Sequence, residues 1–323
     1  DPIKTSYGRT QHGEASSERS DDMRMVYDNI FTYNNSWDAK HNFEAMAGTS
    51  ATTSRWENLS GSRSHFSPEN YEAIFGINGG NKGGLRGQSQ GYSQWAIMSY
   101  LARVSYNYDS KYYITANFRA DGSSKFPKSN RWGYFPSVSA GWVVTNEDFM
   151  ASTKNWMSFL KLRASWGQNG NCNISAFQYV ATVAFDAPYY FNDKSVPNTG
   201  AYPDIMPNEN LKWETSEQLD FGVDARFFRS RLGVSFDWYN KVTRDWLVRA
   251  PTLLIYGSGA PYINGGDIRN RGYEFLVSWN DNVGDFSYGV YANGGWLFTE
   301  VVNDGQAYQN YDYLYHAGNP IGQ

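Results

Sequence analysis

A strict two-residue alternation over residues 112–121 constrains this chain more than any other feature. The apolar parity holds Tyr112, Ile114, Ala116, Phe118 and Ala120, and the polar parity holds Tyr113, Thr115, Asn117, Arg119 and Asp121. This pattern predicts a strand with one apolar and one polar face. After a polar loop the alternation resumes over residues 138–144, so the two runs predict a hairpin with a long loop.

The same unit recurs along the chain and predicts an all-β fold. We count about ten strands of roughly 9–15 residues, whereas strands of ordinary globular proteins have about 5–6. Short turns are expected near 34–41, 109–111, 229–231 and 280–285, and long loops at 49–93, 122–133, 167–210 and 244–265. A helical turn is expected within 145–160 and a short strand within 178–185. Long strands with alternately short and long connections indicate a transmembrane antiparallel up-and-down β-barrel.

We expect residues 1–21 to form a loop or frayed end and residues 22–323 to form one partial barrel domain. No run of 18 apolar residues exists, which excludes a spanning α-helix but not barrel strands, since these need only about 9–11 alternating residues. With 28 Lys and Arg against 32 Asp and Glu, the net charge of -4 offers no electrostatic case for a nucleic-acid partner. The single Cys172 forms no internal disulfide.

A soluble β-sandwich, such as a secreted glycan-binding domain, would show the same alternation. Strand length argues against it, as do pairs of aromatic residues near strand ends, such as Tyr134 and Phe135, which we expect in the interfacial girdles of a barrel. Dependence on detergent separates the two classes. In a barrel the polar parity faces the lumen, which predicts lumen or plug contacts for Arg103, Arg119, Asp121, Arg163, Asp220 and Asp224.

No catalytic, metal or cofactor site is predicted. The four histidines are dispersed, the Gly-rich stretch at 76–91 lacks a following GK[ST], and the residues at 256–260 lack the G-x-S-x-G spacing of a nucleophile elbow. Aromatic residues expected in loops are the one binding signal, because rings stack on sugars or on a partner protein. These candidates for substrate or partner contact are Trp56, Trp132, Tyr189, Tyr190, Tyr202 and Tyr256.

Several motifs carry a family resemblance. RADGSSKFPKSNRWGYFPSVSAGW at 119–142, LKLRASWGQNGN at 160–171, NENLKWETSEQLDFGVDARFF at 208–228 and NGGDIRNRGYEFLVSW at 264–279 resemble the SusC/RagA family of TonB-dependent outer-membrane transporters. The resemblance implies a 22-stranded barrel around an N-terminal plug, a SusD-like surface lipoprotein as lid, energy from the TonB complex, and import of glycans or, in some branches, peptides. It implies no enzyme activity.

The resemblance also sets expectations about extent and orientation. Plug, TonB box and an aromatic terminal strand are not found, so we expect the chain to be the middle part of a longer barrel, with a closed ten-stranded barrel as the weaker alternative. The four long loops would face outward to meet ligand and lid, and the short turns would face the periplasm. Phe135 is expected at the outer leaflet.

Overall fold

A computed structural model describes residues 14–64, 85–189, 198–250, 255, 257–305 and 317–320. The sheet strands are β1 (Glu14–Trp37), β2 (His41–Ser64), β3 (Leu85–Tyr108), β4 (Tyr112–Ser123), β5 (Trp132–Val143), β6 (Met157–Asn171), β9 (Glu214–Phe227), β10 (Leu232–Arg244), β13 (Asp267–Val283) and β14 (Phe286–Asn303). β7 (Thr182–Tyr189) pairs with β8 (Asn198–Ile205), and β11 (Leu247–Arg249) pairs with β12 (Tyr262–Asn264). Each small pair lies in a connection of the larger sheet.

The ten-stranded sheet runs in the order β1-β2-β3-β4-β5-β6-β9-β10-β13-β14. Apart from the two inserted pairs this is the order along the chain, which confirms the predicted meander. From β3 to β14 every neighbouring pair is antiparallel. None of the helices in the described part of the chain is long and apolar enough to cross a membrane.

The chain divides into two compact units, one of Asp1–Tyr27 with Ala51–Ala96 and one of Asp28–Ser50 with Ile97–Gln323. In the first unit the Trp56 indole donates to Ser20 Oγ over 2.9 Å, and the Arg24 guanidinium lies 5.9 Å from the centre of the Trp95 ring. The first contact joins the neighbouring strands β1 and β2, and the second joins β1 and β3 across β2. The second unit contains the predicted hairpin and all the clusters described below.

Strand pairing in the second unit separates the two parities into two faces. Ile114 is paired with Tyr106 on one side and Ala140 on the other, whereas Thr115 is paired with Ser105 and Ser139. The first set belongs to an apolar face whose large side chains remain exposed, with Ile114 50% exposed. The second set belongs to a polar face. The two-faced strand predicted from the alternation is confirmed.

Stacked aromatic pairs lie at both ends of the apolar face. Tyr112 stacks on Trp142 at 6.4 Å beside the short turns, and Tyr100 stacks on Trp132 at 5.8 Å beside the long loops. Trp132 and Trp142 are ten positions apart on β5, a rise of about 34 Å. A strand tilt of about 45° shortens this to about 24 Å, which matches the apolar band of about 25 Å of an outer-membrane barrel.

Two of the short connections adopt left-handed backbone conformations without glycine. Asp38 and Ala39 have φ of 51° and 52° between β1 and β2, and Asp109 and Ser110 have φ of 52° between β3 and β4. Two successive positive φ angles are typical of the hairpin turns whose twist matches that of the strands. The connection from β5 to β6 differs, because it contains two 3-10 helices, Val144–Asn146 and Asp148–Thr153, where a helical turn was predicted.

Several expectations about element boundaries were wrong. Residues 14–21 belong to β1 and not to a loop, and residues 49–64 and 85–93, predicted as loop, belong to β2 and β3. Trp132 is the first residue of β5. Phe135 is 7% exposed on the polar face and does not lie in the aromatic girdle, because neighbouring strand residues point to opposite faces and Tyr134 occupies the apolar one.

Candidate functional site

A charged cluster on the polar face joins three strands through Arg163. Its Nε donates to Asp224 Oδ2 over 2.7 Å and its Nη2 donates to Asp224 Oδ1 over 3.2 Å, which makes a bidentate pair between β6 and β9. The same Nη2 lies 2.9 Å from Asp237 Oδ1 on β10. Ser235 Oγ adds a hydrogen bond of 2.8 Å to Asp224 Oδ1. We call Arg163, Asp224, Asp237 and Ser235 the arginine bridge.

Gly222 makes this bridge across β9 possible. In the strand register it is paired with Arg163 on one side and with Asp237 on the other. A Cβ at this position would lie 2.6 Å from Arg163 Cζ and would also contact Asp237 Oδ1. The missing side chain therefore leaves the space through which the guanidinium reaches the second carboxylate.

Two open grooves flank the arginine bridge on the polar face. One, of about 710 Å³, is lined by Ser235, Asp237, Glu274, Leu276 and Asn293 among others. The other, of about 340 Å³, is lined by uncharged polar groups, among them Asn117, Ser137, Ser139, Ser165 and Gln218. Amides, hydroxyls and carboxylates on this face offer hydrogen bonds to a polar ligand or to a protein segment in a lumen.

A second charged group lies toward the long-loop end of the polar face. Arg119 Nε donates to both carboxylate oxygens of Asp121, at 2.8 and 2.7 Å, and Arg119 Nη2 donates to Ser99 Oγ at 3.1 Å. Asp121 and Ser99 are buried. Because the pair satisfies a buried carboxylate, its geometry favours a role in the wall.

The six charged residues predicted for the lumen all lie on the polar face but not in one site. Arg163 and Asp224 are joined directly, and Asp220 follows on the same parity of β9. Arg119 pairs with Asp121, and Arg103 Nε donates to Ser105 Oγ over 3.2 Å. The predicted contacts with a lumen ligand or plug remain predictions.

A compact aromatic core joins three connections at the long-loop end. Its buried members are Phe126, Phe135, Ile174, Leu211 and Trp213, which we call the loop core. The Trp213 ring lies 5.3 Å from that of Phe126 and 5.5 Å from that of Phe135, and its Nε1 donates to the Arg131 carbonyl over 2.8 Å. Leu247 and Tyr262 pack against this core. The connections β4–β5, β6–β9 and β10–β13 thus share one interior.

Polar side chains fasten two of these connections, β6–β9 and β10–β13, to each other. The buried Glu214 accepts hydrogen bonds from Asn171 Nδ2 at 3.1 Å and from the Leu247 amide at 3.0 Å. Asn264 accepts from the Lys212 amide at 2.9 Å and donates to the Lys212 carbonyl at 2.8 Å.

Burial raises the pKa of the Cys172 thiol, so the thiol form persists at neutral pH.

The predicted contact aromatics fall in different places. Trp56 lies in β2 and is 38% exposed, whereas Trp132 lies on the apolar face against Tyr100, so neither is in a loop. Tyr189 ends β7 and is exposed, and Tyr202 is half-buried in β8, opposite Ala184. Tyr190 and Tyr256 lie outside the described residues.

Several residues of the arginine bridge and of the loop core were not predicted from the sequence. Asp237, Ser235 and Gly222 complete the arginine bridge, and Phe126 and Trp213 form the loop core. The alternation within β10 was visible, but the partner opposite each residue depends on register. The exposed aromatic residues Phe177 and Phe185 of the β6–β9 connection were also missed. Within the described ranges no group of three or more His, Cys, Asp or Glu is placed to hold a metal ion.

Residues 3–322 match the family described as TonB dependent receptor-like, beta-barrel. The chain is 35% identical over 286 residues to TonB-dependent receptor P3 of Formosa agariphila, covering 87% of this chain and 27% of that protein. It is 33% identical over 248 residues to TonB-dependent receptor SusC of Bacteroides thetaiotaomicron, covering 74% of this chain and 24% of SusC.

A solved structure of the RagAB peptide importer in the closed-closed state is similar with a TM-score of 0.84 and 25% identity, covering 95% of this chain and 34% of that one. The chain spans about a quarter of the length of TonB-dependent receptor P3 and of SusC. The match sets aside the soluble glycan-binding domain considered above. The chain belongs to the TonB-dependent receptor-like β-barrel family, whose members are outer-membrane transporters and not enzymes.

Proposed function

We propose that this chain is part of the barrel wall of a SusC-like transporter that imports oligosaccharides across the outer membrane. The observation that carries the transporter class is the 33% identity to SusC over 74% of the chain. The oligosaccharide class is what the resemblance of the motifs to the SusC/RagA family implies. The two-faced sheet supports the transporter class, because an apolar band of about 24 Å suits lipid while the opposite face suits a watery lumen.

In the proposed orientation the long connections and the loop core face outward, and the short turns face the periplasm. A SusD-like surface lipoprotein covers the outward side, and ligand is held between this lid and the connections. Exposed aromatic rings such as Tyr189 and Phe185 offer stacking surfaces to sugar rings there. Contacts by Trp56, Tyr190, Tyr202 and Tyr256 stay predictions.

In this proposal the protein positions and moves the ligand, and no covalent bond is made or broken. The polar face, including the arginine bridge and Arg119 with Asp121, borders the lumen, which a plug elsewhere in the full-length protein fills. The TonB complex pulls on the plug, and ligand then moves along the polar face to the periplasm. The ion pairs of the wall keep it intact while the plug moves, because Arg119 holds Asp121 and Arg163 holds both Asp224 and Asp237.

Uptake by cells tests the proposal. The gene encoding the full-length protein is deleted and restored, with and without its neighbouring lipoprotein, and entry of a panel of fluorescent oligosaccharides into the periplasm is measured. We expect at least one oligosaccharide to enter only when the protein, the lipoprotein and TonB are all present. Entry of every oligosaccharide at the same rate in the deletion strain would contradict the proposal.

Peptide import is the second candidate, favoured by the TM-score of 0.84 to the RagAB peptide importer. A panel of labelled peptides of varied length and charge is therefore measured in the same strains. Uptake of peptides and of no oligosaccharide would assign the transporter to this second class.

A further inference from the structure

The connection between β5 and β6 differs from every other short-turn connection in the described part of the sheet. It spans residues 144–156 and contains the 3-10 helices Val144–Asn146 and Asp148–Thr153. The others are tight turns at residues 38–40, 109–111, 228–231 and 284–285. Reversing the chain between two strands requires only a tight turn, so the extra length of this connection points to a further role.

The first half of the connection is fastened to the apolar face of the sheet. The Glu147 carboxylate accepts hydrogen bonds from the Tyr112 hydroxyl, from Trp142 Nε1 at 3.1 Å and from Lys111 Nζ at 3.3 Å. Tyr112 and Trp142 are the stacked pair that ends the apolar face. The chain therefore turns toward the side that carries Ile114 and Val138, and away from the side that carries the arginine bridge.

The second half is fastened to the same face. The Trp156 ring stacks on that of Phe227, with centres 5.9 Å apart and an interplanar angle of 18°. Phe227 shares the parity of Val223 and Phe221, which are exposed on the apolar face. The Trp156 carbonyl accepts the Phe228 amide over 2.8 Å. Both ends are thus held on one side of the sheet, across β4, β5 and β9.

The middle of the connection presents an apolar side chain outward. Phe149 is 67% exposed and Trp156 is 48% exposed, whereas Val144 and Thr145 in the first 3-10 helix are buried. Thr153 Oγ1 donates to the Met150 carbonyl over 2.8 Å and closes the second helix. With three residues per turn, Phe149 and Ser152 follow one line of this helix, and Asp148 and Ala151 follow another. Phe149 is the exposed large apolar side chain of this helix.

We infer that residues 144–156 form an interfacial foot, which lays Phe149 and Trp156 into the headgroup region of the lipid leaflet at the short-turn end. The occupant is the bilayer, because the patch is continuous with the apolar face, which contacts lipid in an outer-membrane barrel. Aromatic rings favour this depth, where the ring leaves water and polar neighbours remain hydrated. The foot fixes the height of the barrel at this edge of the membrane.

Accessibility measurements on the full-length protein in phosphatidylethanolamine and phosphatidylglycerol vesicles test the foot. A nitroxide label is placed at Phe149→Cys in a background free of other reactive cysteines, including Cys172→Ala. Two controls carry the same label, Ala151→Cys on another line of the same helix and Ser230→Cys in the β9–β10 turn. Slower migration of the boiled protein on gels verifies that each variant has folded.

We expect the label at position 149 to collide several-fold more with oxygen, relative to a water-soluble nickel chelate, than the labels at 151 and 230. Equal nickel accessibility at 149 and 230 would place Phe149 in water and overturn the inference. Protection of position 149 from both reagents would overturn it as well, since it would mean that protein and not lipid covers the segment.

Discussion

Glu147 shows how one side chain couples the fold to pH. Hydrogen bonds from Tyr112 and Trp142, with a further contribution from Lys111, hold the pKa of its carboxyl below the ordinary value of about 4.3. Because the folded-state pKa is the lower one, the carboxylate stabilises the fold above about pH 4.3, and this contribution is lost as the pH falls through the folded-state pKa.

We predict that Glu147→Gln weakens the acid dependence of stability below about pH 4.3, because the amide occupies the same place without titrating. The measurement is the Tm of the full-length protein in detergent as a function of pH. Glu209→Gln, an exposed carboxylate in another connection, serves as the matched control. An acid limb identical in Glu147→Gln and the unmodified protein would contradict the prediction.

A second prediction for a single residue concerns Gly222. A methyl group in Gly222→Ala would occupy the space between Arg163 and Asp237, so we expect a loss of about 1–2 kcal/mol of unfolding free energy for these half-buried charges. Gly295→Ala is the control on the same face, since its nearest neighbours are at 3.4 Å. Denaturant unfolding provides the measurement.

A double-mutant cycle assigns that loss to the arginine bridge. In an Arg163→Met background the added methyl group meets no guanidinium, so most of the effect of Gly222→Ala should disappear. A loss of the same size in both backgrounds would mean that the strain lies in the backbone of β9.

Among the connections, Trp213 contacts Phe126, Phe135 and the Arg131 carbonyl. We predict that Trp213→Ala opens the loop core at a cost of about 3–5 kcal/mol. Limited proteolysis should then cleave within residues 124–131, 172–212 or 245–266 while the sheet stays intact. Phe177→Ala, an exposed aromatic in the same connection, should leave the cleavage pattern unchanged.

The strands and their faces were predictable because a strand records its two environments in every second residue. Phe135 was misplaced because adjacent aromatics were assigned to one girdle, although Tyr134 and Phe135 necessarily point to opposite faces. The arginine bridge was out of reach, since the neighbours of Arg163 on β9 and β10 depend on register across residues that are 61 and 74 positions away. Alternation fixes a face but not a partner.

For the molecule as a whole, the proposed lipid face gives the sharpest test. Val138 and Ser139 are neighbours on β5 that belong to the apolar and the polar face. We predict that Val138→Lys costs about 2–4 kcal/mol, the penalty for Lys near the bilayer midplane, whereas Ser139→Lys costs much less. Heat-modifiable migration of the full-length protein extracted from outer membranes measures the folded fraction. Equal losses in both variants would contradict a one-sided contact with lipid.

The family and the strand topology could be predicted from the sequence, whereas the strands and packing inside the predicted loops could not. Predicted loops such as 49–93 contain few apolar residues and many small polar ones, yet parts of them continue as strands. Hydrogen bonding to a long neighbouring strand outweighs weak local propensity there. The loop core arose from side chains far apart along the chain, which no local pattern brings together.

The shared interior of the three connections has a consequence for how this surface can change. The β7–β8 pair and the β11–β12 pair leave the sheet register undisturbed, since Leu162 still faces Val223 across the first insertion. Ligand preference could therefore be transplanted between relatives without redesigning the wall. However, Trp213 and Glu214 tie these connections together, so a graft of one alone would leave a hole in its neighbours. The three connections therefore have to be exchanged together in a graft, and they have to vary together in evolution.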